Sequence, residues 1–520
     1  MSPTGVRMMR RFTTRFFLLI FPSFFAASAG AQTSAARVEE TAVRSTEKTP
    51  AIAPVPQHLF GAIALSTRSE EARGALELAI DKYENAMYDD AVVHARHATE
   101  KDPRSALGYA MLSFAARRTL PDSSALAKAK SLLSQSASDE QLLVRWMTSI
   151  QERDLLPAIM SMNDLLKRYP RNKHILYLTG EWLFLQQDEN RARTLMETAL
   201  EIDPNFPAAL NRLGYLYVQI GEPLKAVASL KRYMELQSTS ANPEDSLGEI
   251  LRLSGDDRGS LEHYGAALQV DPTYFPSQLG LGDTLTLMGD FGNARQEYDR
   301  AIQIADNPRD ELYAKYQKAL VYFWEGQPVQ GCKALYDLSE EAASKKEPNE
   351  RFDIELGRAM LAPNVQNEID QLGLLSVFLA QPLAGMSEAD RGVARATVLR
   401  ERARVAALNR FTENAVEAIS ELEGLATSSR DLVIENAYES ARGYLLFAQD
   451  DLTSAKDELA ADPQSPLALQ QLAITQEKLG LASAAQATRT RLKYRRGPTV
   501  EWFLVTHMDS SSLHQKFQDK

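Results

Sequence analysis

From residue 72 onward apolar side chains recur at positions i, i+3, i+4 and i+7, and turn-forming residues interrupt them about every dozen positions. Sustained β-branched alternation is missing, so the pattern predicts one helix after another and no sheet. The pattern itself repeats. Gly180, Gly214, Gly248 and Gly282 stand 34 residues apart. In the same phase come small residues at Ala158, Ala192, Ala226, Ser260 and Ala294. A further helical column runs through Leu165, Ala199, Tyr233, Ala267 and Ala301, and prolines stand at Pro170, Pro204 and Pro272. With 26 glycines in 520 residues, three further coincidences at one spacing have a chance of roughly 0.003, so the period is built in. A small residue lets two helices approach, large apolar ones fill the space between them, and proline ends the second helix because it cannot continue the hydrogen-bond ladder.

These columns resemble the tetratricopeptide repeat family, whose 34-residue unit carries Trp, Leu-Gly and Tyr on its first helix and Ala, Phe and Ala on its second, followed by Pro. In residues 207–240 the pattern stands as Leu210, Leu213, Gly214, Tyr217, Ala226, Leu230 and Tyr233. In 241–274 it stands as Leu247, Gly248, Leu251, Tyr264, Ala267 and Pro272. Ser238 and Asp306 replace the family's Pro, and Trp146 replaces its Gly. The resemblance implies an all-α, right-handed superhelical solenoid of antiparallel helix pairs, elongated, each unit touching mainly its neighbours. About eight regular units are expected over 72–345. Pro348, Pro363 and Pro382 break the period, so 346–392 is expected as an irregular helical connector. Divergent repeats follow over 393–499 and a tail over 500–520, whose Trp502, Phe503 and Leu504 are expected to cap the last repeat.

The first 31 residues hold Arg7, Arg10, Arg11 and Arg15 and no acid, followed by an apolar run from Phe16 to Ala27 and two small-residue cleavage sites, after Ala29 and after Ala31. Twelve residues of helix reach about 18 Å, too short for a bilayer core of about 30 Å. The segment is expected to be a secretory signal peptide, with a mitochondrial presequence as the alternative. Residues 32–71 read as a flexible leader with a lead-in helix. The mature protein is expected to be secreted or periplasmic, without stable membrane insertion.

Composition narrows the function further. Against 58 Lys and Arg stand 69 Asp and Glu, a net charge of −11, which does not suit a nucleic-acid phosphate backbone. The single Cys332 excludes an internal disulfide and a cysteine-based zinc cluster. Phosphate-loop, zinc-protease, serine-hydrolase and dithiol motifs are missing, so no catalytic residue, metal or cofactor is expected, and no enzyme. His94 and His97 read as a solvated helix face, and Arg491, Lys493, Arg495 and Arg496 as a solvated helix end.

What remains is binding. The resemblance implies a concave groove lined by the second, fifth, ninth and twelfth residues of each first helix. Those positions hold His174, Tyr177 and Glu181, then Asn211 and Tyr215, then Asn242, Asp245, Glu249 and Arg252, then Asp283. The ligand expected there is a protein or extended peptide with basic or neutral side chains. The leading reading is an exported interaction or scaffold protein. Alternatives are an architectural envelope protein that binds glycan or a multiprotein assembly, and a non-catalytic subunit of an enzyme complex.

Overall fold

The computed structural model describes residues 63–116, 123–185, 188–429 and 431–507. The expected signal peptide, most of the leader and the end of the tail lie outside the described residues. Among the described residues there is no strand, and twelve helix pairs precede one terminal helix. The first four pairs are α1 (Glu70–Glu84) with α2 (Tyr88–Lys101), α3 (Ala106–Ala116) with α4 (Ser123–Leu132), α5 (Ser138–Gln151) with α6 (Leu155–Arg168), and α7 (Lys173–Leu185) with α8 (Glu189–Ile202). The next four are α9 (Pro207–Gln219) with α10 (Pro223–Leu236), α11 (Asn242–Ser254) with α12 (Asp257–Val270), α13 (Phe275–Met288) with α14 (Phe291–Ile304), and α15 (Pro308–Trp324) with α16 (Pro328–Lys345). The last four are α17 (Pro348–Met360) with α18 (Val365–Leu379), α19 (Glu388–Leu408) with α20 (Thr412–Ser428), α21 (Leu432–Ala448) with α22 (Leu452–Leu459), and α23 (Pro466–Lys478) with α24 (Ala482–Lys493). The terminal helix is α25 (Val500–His507).

Local chemistry sets these boundaries. Pro207, Pro223, Pro308, Pro328, Pro348 and Pro466 each open a helix, where their missing N–H costs nothing. Asp188, Asp256 and Asp290 cap second helices by accepting an N–H from three residues on. In the segment 346–392, Pro348 is such a helix start, while Pro363 and Pro382 lie in the connections between helices, so helix pairing runs through it.

The glycine column does what its spacing suggests. A Cβ built on Gly180, Gly214, Gly248 or Gly282 would stand 2.9, 2.7, 2.9 or 2.6 Å from an atom of Met196, Leu230, Tyr264 or Tyr298 respectively. Those four partners are themselves 34 residues apart. The missing side chain is thus the space into which the second helix inserts its largest residue. The turn joining the two helices of a unit also repeats one conformation, with a left-handed residue at Gly221, Gly255, Gly289, Gly326 and Gly480. Ala86, Arg153, Arg410 and Asp450 adopt it without being glycine, at φ of 62, 54, 65 and 65°.

The array does not stay elongated with only neighbours in contact. A small rotation per unit accumulates until the last units lie against the first ones. Arg153, in the turn of the third unit, reaches Asp431 in the eleventh at 2.6 Å. Arg491 in the twelfth reaches Glu189 in the fourth at 3.3 Å. This winding corrects the expectation for the basic cluster: the Arg495 side chain is not solvated but 6% exposed, with Glu189 of the fourth unit and the Pro463 carbonyl beside it. The tail is likewise placed more broadly than a cap on the last repeat. α25 packs on α23 and also on α15, with the Phe503 ring 5.4 Å from that of Trp324.

Candidate functional site

The first helices of successive units pack side by side, forming the face expected as the inner one, and its polar side chains bond from one unit to the next. Arg212 donates to Glu181 at 2.7 Å, the Tyr215 hydroxyl to Glu249 at 2.9 Å, and Ser277 to Asp245 at 2.7 Å. Asn242 donates to the Tyr274 hydroxyl at 2.9 Å and accepts from Tyr233 at 2.8 Å. Asp283 accepts from Tyr298 at 2.7 Å and from Gln317 at 3.4 Å. Most of these partners lie 31 to 34 residues apart in sequence, so one repeat length carries a side chain to its partner in the next unit.

This ladder buries the face. Seven of the ten predicted groove residues are buried: Tyr177, Glu181, Tyr215, Asn242, Asp245, Arg252 and Asp283. His174, Asn211 and Glu249 are half-buried. His174 and Tyr177 reach back to the first unit, where Nδ1 of His174 lies 2.8 Å from Glu84 and the Tyr177 hydroxyl donates to the Glu84 carbonyl at 3.1 Å. Burial disfavours the charged imidazole, but the Glu84 carboxylate outweighs it and holds the His174 pKa above its ordinary value. Phe184, on the same face, stacks under the Arg212 guanidinium, 4.7 Å from the ring centre.

Four of the predicted residues converge on one cleft between the sixth and seventh units. Asp245, Glu249, Arg252 and Asp283 line it together with Tyr264, Pro276, Leu279 and Gly280, around a volume of about 40 Å³. Burial pushes the Asp245 carboxyl up to about 8, against the Ser277 hydroxyl and Arg252, which favour its charge. Asp283 is raised for the same first reason. Arg252 stays firmly charged, because nearby Tyr264, Asp283 and Glu249 outweigh the cost of its burial. Its guanidinium hydrogen-bonds Tyr264 and is otherwise loosely held. Nη2 is 3.6 Å from Glu249, Nη1 is 3.4 Å from the Arg496 carbonyl, and the buried Nε has no hydrogen-bond partner. Asn211 Oδ1, one unit earlier, is also buried without one.

Sequence reasoning missed several residues here. Tyr264 was legible only as the packing partner of Gly248, although its ring also walls the cleft. Arg212 was missed although its bond to Glu181 spans one repeat length, while Glu84 and Arg496 act across distances that the period does not encode.

Tetratricopeptide-repeat family profiles match two stretches of the chain, residues 195–228 and 275–308. Tetratricopeptide repeat protein 7B of Homo sapiens is 26% identical over 158 residues, which is 28% of this chain and 19% of that protein. Anaphase-promoting complex subunit 7 of Arabidopsis thaliana is 24% identical over 37% of this chain and 34% of its own length. The matches therefore span about a fifth to a third of these relatives. Among solved structures, the MamA protein is 25% identical over 33% of this chain and 93% of its own, with a TM-score of 0.28. A tetratricopeptide repeat protein from Parabacteroides merdae is 14% identical over 52% and 93%, with a TM-score of 0.32. By the two profile matches the chain contains tetratricopeptide repeats, and its described residues form an all-helical array of helix pairs.

Proposed function

We propose that this chain is an exported, non-catalytic interaction protein that holds a protein or extended-peptide partner at the inner face of its sixth and seventh units. The observation that carries this reading is the cleft around Arg252. There a buried, charged guanidinium keeps an unused Nε beside the half-buried Glu249, in a cleft that four of the candidate groove residues line. A buried donor without a partner costs about 1–3 kcal/mol, which a bound group would recover. The size of the cleft selects the ligand class. Pockets for free small molecules run to about 300–1,000 Å³, so some 40 Å³ suits the head of one side chain with the rest of its chain lying outside.

Export rests on the order of arginines, apolar run and small-residue sites within residues 1–31. Among the described residues no helix is long and apolar enough to cross a membrane. Intact-mass measurement of protein recovered from the producing cell is expected to give a chain starting at Gly30 or Gln32. Recovery of Met1 in the cytosol would defeat that part of the proposal.

The binding reading is tested with the full mature chain immobilised and exposed to envelope extract, wild type beside the double variant Asn211→Ala, Glu249→Gln. Loss of captured partner at unchanged helix content and melting temperature is the expected result. Undiminished capture moves the binding surface away from this cleft.

A further inference from the structure

The segment between α24 and α25, residues 494–499, crosses the turns of the fourth, fifth and sixth units. Glu189, at the start of α8, receives Arg491 at 3.3 Å and Arg495 at 3.7 Å. Thr490 and Tyr494 lie over the left-handed Gly221 of the fifth unit. Arg496 grips both carboxylate oxygens of Asp257, the second at 2.8 Å, and donates to the Arg252 carbonyl at 3.0 Å. Arg252 answers by donating to the Arg496 carbonyl at 3.4 Å. Because Arg252 is also a wall of the cleft, the segment sits at its rim.

The seat is chemically specific but imperfectly filled. A two-pronged guanidinium–carboxylate contact is the strong kind of ion pair, and Asp257 has one. Arg495 does not. Its side chain is 6% exposed, Nη2 donates to the Pro463 carbonyl at 3.3 Å, the Glu189 carboxylate is 3.7 Å away, Nε has no partner, and burial lowers its pKa to about 10 against the pull of Glu189. A buried charge held this loosely costs free energy and offsets part of what the Arg496 contacts contribute. Tethering by a few residues supplies an effective concentration on the order of millimolar, which keeps a weak ligand bound.

We infer that residues 494–499 are a built-in occupant of this acidic edge, and that the partner is a peptide segment presenting an adjacent arginine pair, which displaces them from Asp257 and Glu189. The inference rests on the interaction reading above and names the chemistry of its partner. The occupant acts as a competitor: free chain is available to a partner only in the fraction of molecules whose own segment has let go.

The probe is a fluorescein-labelled synthetic peptide of residues 490–499, titrated by anisotropy into the full-length protein. Wild type should bind it weakly. The variant Arg495→Ala, Arg496→Ala should bind it at least about tenfold more tightly, and adding Asp257→Asn to that variant should abolish the gain. A peptide with both arginines changed to glutamate should not bind. Equal affinity for wild type and the opened variant, or binding that survives Asp257→Asn, overturns the inference. Should the double variant misfold, Asp257→Asn alone serves: hydrogen exchange over 494–499 must rise while the inner helices stay protected, and an unchanged 494–499 overturns the inference. The two readings fail separately. Envelope-partner capture that is lost in Asn211→Ala, Glu249→Gln but equal in wild type and the opened variant leaves the cleft standing and removes the built-in occupant.

Discussion

The ring of Tyr264 lies between two glycines, its own unit's Gly248 and the next unit's Gly280. A Cβ on Gly248 would stand 2.9 Å from Tyr264 Cδ1, and one on Gly280 only 2.2 Å from Cζ. The same ring then walls the cleft with Arg252 and Asp283. Packing within a unit, stacking between units and the shape of the candidate site therefore depend on one side chain.

Replacement of these glycines should cost stability even though helix propensity favours it. Gly280→Ala is expected to lose about 1–3 kcal/mol by overpacking against the buried Tyr264. Gly424→Ala, in α20 with no atom near an added Cβ, should gain up to about 1 kcal/mol. Chemical denaturation followed by circular dichroism checks both signs; a gain at position 280 would mean that the neighbouring helices move apart freely.

Arg153 combines a strained backbone with a bond between distant units. Its φ is 54°, and its guanidinium holds Asp431, which is 2% exposed and also accepts the Val433 N–H. Arg153→Ala should destabilise the chain, because it removes the ion pair and keeps the strain. Arg153→Gly should be less harmful by about 1 kcal/mol, since glycine adopts this conformation freely. Equal melting temperatures for the two variants would contradict this account.

Asp245 makes stability depend on pH. An unfolded aspartate releases its proton near pH 4, whereas the folded one keeps it up to about 8. Between those values the folded state binds more protons, so the Asp245 contribution is fully present below pH 4 and is lost as pH rises through 8. Asp245→Asn keeps an acceptor for Ser277 and removes the titration. Its stability relative to wild type should rise steadily from pH 5 to pH 8, measured by denaturant unfolding at each pH. A constant difference would show that the carboxyl is charged throughout.

Phe503 anchors α25 against Trp324 and Phe323, at ring distances of 5.4 and 6.4 Å. Phe503→Ala should cost about 3–5 kcal/mol locally. In a repeat array the loss stays near its origin. Hydrogen exchange should therefore quicken in α23 and α25 while residues 207–304 keep their protection. Uniform loss of protection would mean that the whole array unfolds as one unit.

The sequence alone determined the helix pair. Glycines at 180, 214, 248 and 282 and bulky residues at 196, 230, 264 and 298 carry the information twice, because close approach of two helices needs a small residue facing a large one at each step. The ten candidate groove residues could be named only through the family resemblance, as fixed positions in a repeating frame. Only the tertiary structure decided what covers them. Arg153 with Asp431, Arg491 with Glu189 and Arg496 with Asp257 are joined over 278, 302 and 239 residues. A repeat encodes the rotation between neighbours, and whether the last units return onto the first depends on the sum of many such small rotations. No local pattern states that sum, so a face expected as an open groove is a largely buried ladder of polar side chains with a cleft between the sixth and seventh units.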